Sequence, residues 1–396
     1  MIFTTTSLIF CGILLLLAII APFVNPLFRK ISLSADADNS ALAEDTDNNA
    51  ANNPNHGQPM PSVSIVITAH DNAAELRRNL PQVLAQQYSG NYEVIVVAEK
   101  GDSETEDVLN SLSADKHLYY TLIPESSRYM SRKKLSMTIG IKAAKSEWIM
   151  LLEPSCQPQS EHWLATMARN CNKETDLVIG YSQYADDAHL YQRFERMLTQ
   201  CYSLREAQQS MPYRHYGSNL MIRKSMFMKQ EGFRSNLSLV RGEYDFLVND
   251  FATADNTATE TSPQAYVIED APTHKTWLYH HMYYLESRKL LQRSFKHRLV
   301  FNIDQMMIHT TVIADIAAIA ASIALQQWII TAVAAAALII TTSLCSLWLS
   351  KRSKELGENI PTLLALPLQL SVIWHNMKYA INHKFADKLD FTTHKL

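Results

Sequence analysis

The stretch VSIVITAHDNAAELRRNLPQVLAQQYSGNYEVIVVAE, residues 63–99, decides the fold. Its first run, Val63–Thr68, is short, apolar and rich in β-branched residues, and it is bounded by Pro61 and by AHDN. That pattern reads as a strand buried on both faces. Residues 73–87 then place apolar side chains at helical spacing, and Tyr92–Glu99 is a second buried strand. The alternation continues. SETEDVLNSL (103–112) opens a helix with Ser103 as N-cap and Glu106 in capping-box position. LYYTLIP (118–124) is a strand, KKLSMTIGIKAAK (133–145) a helix, and EWIMLLE (147–153) a fourth strand. Strands alternating with helices predict an α/β domain with a parallel sheet covered on both faces. Such sheets bind ligands beyond the carboxyl ends of their strands. The residues there are Thr68 to Asn72, Glu99 to Asp102 and Glu153 to Cys156.

The chain has 396 residues and a formal net charge of -3, which gives no electrostatic footprint for nucleic acid. Its five cysteines lack paired spacing, which argues against a disulfide framework or a zinc site and for a reducing compartment. Residues 34–61 are rich in Asp, Asn, Ala and Pro and lack Lys and Arg. Such a segment reads as a disordered tether.

Leu8–Val24 is an apolar run of membrane-spanning length. No basic residue precedes it, as one would in a signal peptide, while Arg29 and Lys30 follow it. The charge bias predicts an anchor with the next domain in the cytoplasm. Residues 310–349 form a second apolar region, broken at Gln326–Gln327, which predicts a hairpin of two spans. Arg288, Lys289, Arg293, Lys296, His297 and Arg298 precede it, and Lys351, Arg352 and Lys354 follow it. Asp315, read as one turn into the first span, is expected to face the interface or a partner helix. Ile360–Trp374, with two prolines, reads as an interfacial or re-entrant helix. The predicted organisation is an anchor at 1–30, a linker at 31–61, a globular domain at 62–300, a hairpin at 301–352, and an interfacial segment with tail at 353–396. These runs and their flanking charges predict a multi-pass membrane protein with the globular domain facing the cytoplasm.

The order of these segments resembles the family 2 glycosyltransferases. The opening strand–helix–strand with its Gln-x-Tyr, the lysine-bearing helix before EWIMLLEPSCQP, YGSNLMIRKSMFMKQEGF and RGEYDFLVN all have counterparts there in the same order. The resemblance implies a GT-A-like (Rossmann-like) fold with a mixed, mainly parallel sheet and transmembrane helices at both ends. It implies transfer of a sugar, with inversion, from a nucleotide-sugar, a UDP-sugar first, to a glycan or lipid-linked acceptor. It also implies a Mg2+ or Mn2+ ion held by an Asp-x-Asp turn, and a carboxylate base.

Residue by residue, the match departs from the family pattern. The metal turn reads Glu153-Pro154-Ser155. Glu153 is the candidate metal ligand, and Ser155 in place of the second Asp removes one negative charge and lowers the expected cation affinity. The base segment reads Gly242-Glu243-Tyr244-Asp245, with a register open by one residue, so Asp245 and Glu243 are the candidate catalytic acids. Thr68, Glu99, Lys134 and Ser155 are the candidate nucleotide-sugar contacts. A solvated loop acid is the alternative for Glu99, and a solvated helix face for Lys133 and Lys134. Cys156 is expected to pack rather than react. Near residue 280, His274, His280 and His281 lack metal-ligand spacing. Trp277 is expected against the bilayer, and Tyr279, Tyr283 and Tyr284 in an interfacial belt. Beside the active enzyme stand two other readings: a catalytically degenerate scaffold or partner subunit, and a nucleotide-sugar or glycan-binding module.

Overall fold

The computed structural model describes residues 5–24, 27, 31–33, 59–124, 131–209 and 211–392. Residues 34–58 of the expected linker, Arg29, Lys30 and the last four residues lie outside the described residues. Helix α1 (Thr5–Val24) comes first. The alternating segment follows as β1 (Val63–Thr68), α2 (Ala73–Leu84), β2 (Tyr92–Glu99), α3 (Ser103–Leu112), β3 (Leu118–Ile123), α4 (Arg132–Ala143) and β4 (Trp148–Leu152). Next come β5 (Cys156–Pro158), α5 (Trp163–Ala168), β6 (Leu177–Gly180), β7 (Ser182–Tyr184), α6 (Leu190–Gln209), β8 (Leu220–Arg223) and α7 (Lys224–Lys229). The remainder is α8 (Glu243–Phe251), β9 (Thr257–Glu260), β10 (Val267–Glu269), α9 (His274–Ser287), α10 (Phe295–Ala324), α11 (Trp328–Leu356) and α12 (Ala365–Phe385).

The chain divides into two units, each interrupted in sequence. The larger comprises Ile31–His189, Tyr202–Gln292 and Ala380–Leu396; the smaller comprises Met1–Lys30, Leu190–Cys201 and Arg293–Tyr379. The division differs from the single stretch 62–300 because part of α6 joins the smaller unit and the chain's last segment joins the larger.

In the larger unit a seven-stranded sheet has the order β3-β2-β1-β4-β8-β6-β9. Strands β1 to β4 run parallel, β8 is antiparallel to β4 and β6, and β9 is parallel to β6. The sheet is mixed and mainly parallel, with GT-A-like topology. The register aligns Ile67 with Val96 and with Leu152, so Thr68, Glu99 and Glu153 leave the sheet at one edge. A second sheet, β5-β10-β7, packs the turn after β4 against Val267–Glu269. Val63, Ile65, Ile67, Val94, Val96, Met150 and Leu152 of the seven-stranded sheet form a core with α2 and α5 residues.

Two details set where side chains reach. Helix α3 is capped by Asp102, not Ser103: its carboxylate accepts from Thr105 N at 3.2 Å, and Glu106 reaches back to Gly101 N at 3.0 Å. The shift of one residue follows from Asp71 N, whose bond at 2.9 Å holds the second Asp102 oxygen. Helix α4 lies so close to the sheet that a Cβ on Gly140 would come 2.5 Å from Val66 Cγ1. That approach brings Arg132, Lys133 and Lys134, in its first turn, toward the strand ends.

Asn219 joins the two sheets. It has φ +72, where the left-handed conformation suits asparagine better than most residues. Its amide donates to Tyr181 O and Ala265 O, both at 2.8 Å, and its oxygen accepts from Trp163 Nε1 at 3.0 Å.

Among the described residues, α1, residues Arg298–Ala324 and α11 are long and apolar enough to cross a membrane, with mean hydropathies of 2.8, 1.7 and 2.1. They meet through small residues, Ala18, Ala318, Ala334 and Ala337, which let helices approach closely where lipid offers no hydrophobic drive. Thr341 Oγ1 donates to Ala18 O at 3.4 Å, and outward side chains such as Ile9, Leu16 and Ile316 are apolar and exposed. The turn falls at Leu325–Gln327, with Gln326 at φ +54. Asp315 is not one turn into its helix. Helix α10 begins at Phe295, so Asp315 sits deep within it, fully buried, with no hydrogen-bond partner among the described residues on either oxygen. Helix α12 runs on past Trp374 to Phe385, with Pro367 in its first turn, where its missing N–H costs nothing.

Asn219→Ala would strand the Trp163 indole N–H and take a donor from the Ala265 and Tyr181 carbonyls, the latter keeping Val267 N, and is expected to destabilise the larger unit by roughly 2 kcal/mol. Chemical denaturation of the detergent-solubilised chain checks this; a loss below about 1 kcal/mol would show that water replaces all three bonds.

Candidate functional site

The turn after β4 is fixed on every side. Glu153 N donates to Ser218 Oγ at 2.9 Å, and Cys156 N closes the turn onto Glu153 O at 3.0 Å. Pro154 O accepts from Asn79 Nδ2 and Ser155 O from Asp270 N, both at 2.9 Å. Cys156 is buried, and its thiol meets Ser218 Oγ at 3.3 Å, a packing role. The Glu153 carboxylate makes a close ion pair with the Lys133 ammonium and accepts from the Tyr244 hydroxyl. Burial opposes its ionisation. Lys133, the Tyr244 bond and the charge of Arg241 outweigh that and hold the carboxyl below its usual range. Tyr244 is pushed well above its usual value by burial and by Glu153, so it stays protonated and donates.

Adjacent lysines on α4 have different surroundings. Lys133 is about one-fifth exposed and faces the turn. Lys134, expected among the nucleotide-sugar contacts, is fully enclosed: its ammonium donates to Asn236 O at 2.6 Å and Leu239 O at 2.7 Å. It also lies 5.7 Å from the centre of the Phe246 ring. Burial pushes its pKa down to about 8. Lys134 thus pins the loop before α8 to α4. The chain's far end fastens the same loop: Val240 N donates to Phe391 O at 3.0 Å, and Leu239 bridges Thr392.

At the end of β2, Glu99 is buried rather than solvated. It meets His70 Nδ1 at 2.6 Å and Arg132 at 3.0 Å. Thr68 ends β1 opposite Val97. Beside them opens a cleft of about 550 Å³ whose walls include Asp71, Glu75, Asp102 and Glu104.

Gly242, at φ +104, starts α8. The register left open in the sequence has a definite spatial outcome. Tyr244 lies on Glu153, and Asp245 lies on Arg214, whose Nε is 3.0 Å away. The Arg214 guanidinium sits 3.6 Å over the Tyr284 ring. Burial raises the Asp245 pKa despite Arg214. Glu243 is also buried, but its Oε1 has no hydrogen-bond partner among the described residues. Arg214 and Ser218 complete a site whose other members, Glu153, Lys133, Tyr244 and Asp245, lie in segments the sequence had singled out.

The aromatic segment differs from the expected membrane belt. Trp277 is buried in the larger unit, 5.9 Å from Tyr184 and 4.6 Å from His281. Tyr283 packs edge-on to Phe391 at 5.5 Å, and Tyr284 lies under Arg214. Trp277 is thus enclosed by the fold, while Tyr279, Tyr283 and Tyr284 stay half-buried. His280 stacks on Tyr216 at 4.6 Å.

Residues 64–234 match the family described as Glycosyl transferase family 2. With the sheet order, this match supports a glycosyltransferase family 2 domain in that stretch, on a GT-A-like fold. A solved structure of the mannosyltransferase PcManGT from Pyrobaculum calidifontis, in complex with GDP-Man and Mn2+, aligns with a TM-score of 0.52 at 12% identity, covering 94% of this chain and 99% of that one. The likeness is one of fold. A 1–349 form of S. aureus TarS in complex with UDP-GlcNAc aligns at 0.42 and 8% identity, over 82% of this chain and 90% of that one. No curated protein matches the chain in sequence.

The donor set at the turn does not fit the divalent ion of the family's Asp-x-Asp. Glu153 is its single carboxylate and already holds an ammonium and a phenol. Ser155 is neutral, and among the described residues no group of three His, Cys, Asp or Glu side chains converges to hold a metal.

Lys134 gives a pH signature. Its amine loses its proton near pH 8 in the folded protein and near 10.4 when unfolded. Between those values the unfolded chain binds more protons, so this residue makes stability rise with pH. Denaturation at pH 7.5 and 9.5 is expected to show that rise in the wild type and to lose it in Lys134→Met; an unchanged pH difference would count against a charged, buried Lys134.

Proposed function

We propose that the protein is a membrane-bound glycosyltransferase that moves a sugar, with inversion, from a nucleotide-sugar, a UDP-sugar first, to a glycan or lipid-linked acceptor. The observation that carries this reading is the contrast among the acids at the start of α8. Glu243 keeps a buried, unpartnered oxygen, while its neighbour Tyr244 binds the Glu153 turn, so an acid able to accept a proton stands beside a cationic strand-end site. The acceptor hydroxyl gives its proton to Glu243 as its oxygen attacks the sugar C1. The C1–O bond to the diphosphate breaks, and the electron pair leaves on the diphosphate. Glu243 is in the first turn of α8. Asp245 fixes Arg214, and Glu99, Thr68 and Ser155 lie at the strand ends where donor contacts fall.

The three apolar helices and the basic residues flanking them support a multi-pass protein with the catalytic unit in the cytoplasm of a bacterial inner membrane. The pairing of Asp245 with Arg214 favours a second reading, a nucleotide-sugar or glycan-binding module without turnover.

Glu243→Gln separates the two readings. Transfer or hydrolysis of UDP-glucose, UDP-GlcNAc and GDP-mannose by the full chain in nanodiscs is measured beside their binding. A proton-accepting Glu243 predicts a fall in kcat of about 10²- to 10⁴-fold with binding kept. Turnover unchanged by the substitution would remove Glu243 as the base, and binding without turnover in the wild type would establish the module.

A further inference from the structure

The first turn of α4 is unusual in its charge. Arg132, Lys133 and Lys134 follow one another there, and the turn holds no acid. Cations at a helix N-terminus oppose the helix dipole, so this arrangement costs stability unless anions surround it. Each of the three is accounted for differently. Arg132 sits on Glu99, and Lys134 is spent on two loop carbonyls. Lys133 sits on Glu153, at the place where the family pattern puts a metal ligand, and about one-fifth of its side chain stays open. Three further observations bear on the same point. Serine replaces the second acid of the turn. The Tyr244 hydroxyl occupies Glu153 from the other side. The exposed Arg241 adds a further positive charge within reach of Glu153. A divalent ion arriving here would meet one carboxylate, already neutralised, and an ammonium it must displace or repel.

We propose that the Lys133 ammonium, seated on Glu153, is a built-in replacement for the divalent cation, so that this chain binds the diphosphate of a nucleotide donor without a metal. Glu153 then acts as a positioning residue. It holds Lys133 in place, while the remaining ammonium donor sites face the diphosphate. During transfer the fixed ammonium balances the negative charge that gathers on the departing diphosphate. It forms no bond and moves no proton. The inference rests on the nucleotide-sugar reading above.

The test titrates full chain in nanodiscs with UDP and with GDP, first in EDTA and then with Mn2+, by calorimetry. Binding of at least one nucleotide in EDTA is expected, with Kd changed by less than about threefold when Mn2+ is added. Lys133→Met should weaken binding in EDTA by about tenfold or more, and Lys133→Arg should restore it to within about threefold. In the K133M/S155D double variant, which returns the second acid and removes the ammonium, binding should become dependent on Mn2+. The proposal is overturned if wild-type binding tightens tenfold or more with Mn2+, or if K133M binds in EDTA as the wild type does. Should K133M fail to fold, seen as loss of cooperative unfolding, the wild-type comparison of EDTA with Mn2+ still decides. Absence of binding by either nucleotide in both conditions defeats the nucleotide-sugar reading itself.

Discussion

A carboxylate at the end of a central strand needs a counter-charge, and at Glu153 the fold supplies one from α4. The ion pair with Lys133 sets much of what surrounds it. Helix α4 reaches the strand end because Gly140 has no side chain to hold it off Val66. The Tyr244 hydroxyl closes the other side of the carboxylate and so brings the start of α8 to the turn. Once α8 is there, Glu243 and Asp245 have fixed surroundings. One is left with an open oxygen, and the other is committed to Arg214. Acids two residues apart on one helix thus differ because their partners come from different parts of the sequence.

Lys134 shows the same logic in the opposite sense. A buried ammonium is costly, and the fold tolerates it by giving it two carbonyls and an aromatic wall. The return is a loop held rigidly beside the candidate site. Lys133 and Lys134 are chemically alike and adjacent, yet one pairs with Glu153 and stays partly open while the other is a structural tie. Successive helical residues point about 100° apart, which is enough to separate them.

Much of the larger unit was legible in residues 63–153, because buried parallel strands announce themselves as short β-branched runs. The two helices joined at Gln326–Gln327 were legible for a similar reason, since a polar break in a long apolar region has few other meanings. The α3 cap was misplaced by one residue because Ser103 and Asp102 both suit the position, and the choice depends on Asp71, which is distant in sequence. The depth of Asp315 was missed because α10 extends well before its apolar stretch. Trp277, Tyr283 and Tyr284 read as membrane anchors from composition. Their actual partners, Tyr184, Phe391 and Arg214, are remote in sequence and no local pattern reveals them. The site was half legible. Acids at strand ends and the lysines of α4 stood out, but not which lysine meets which partner, because that is set by helix rotation and packing.

The backbone contacts of Leu239 and Val240 with Phe391 and Thr392 have a consequence for biosynthesis. In chain order, α10 and α11 lie between the two halves of that clasp. As the polypeptide leaves the ribosome, the loop beside Glu243 cannot be fastened until both long apolar helices have been made. A chain arrested or cleaved before residue 391 would keep its central sheet but leave that loop without its second tether. The site would then be completed last, after both long apolar helices.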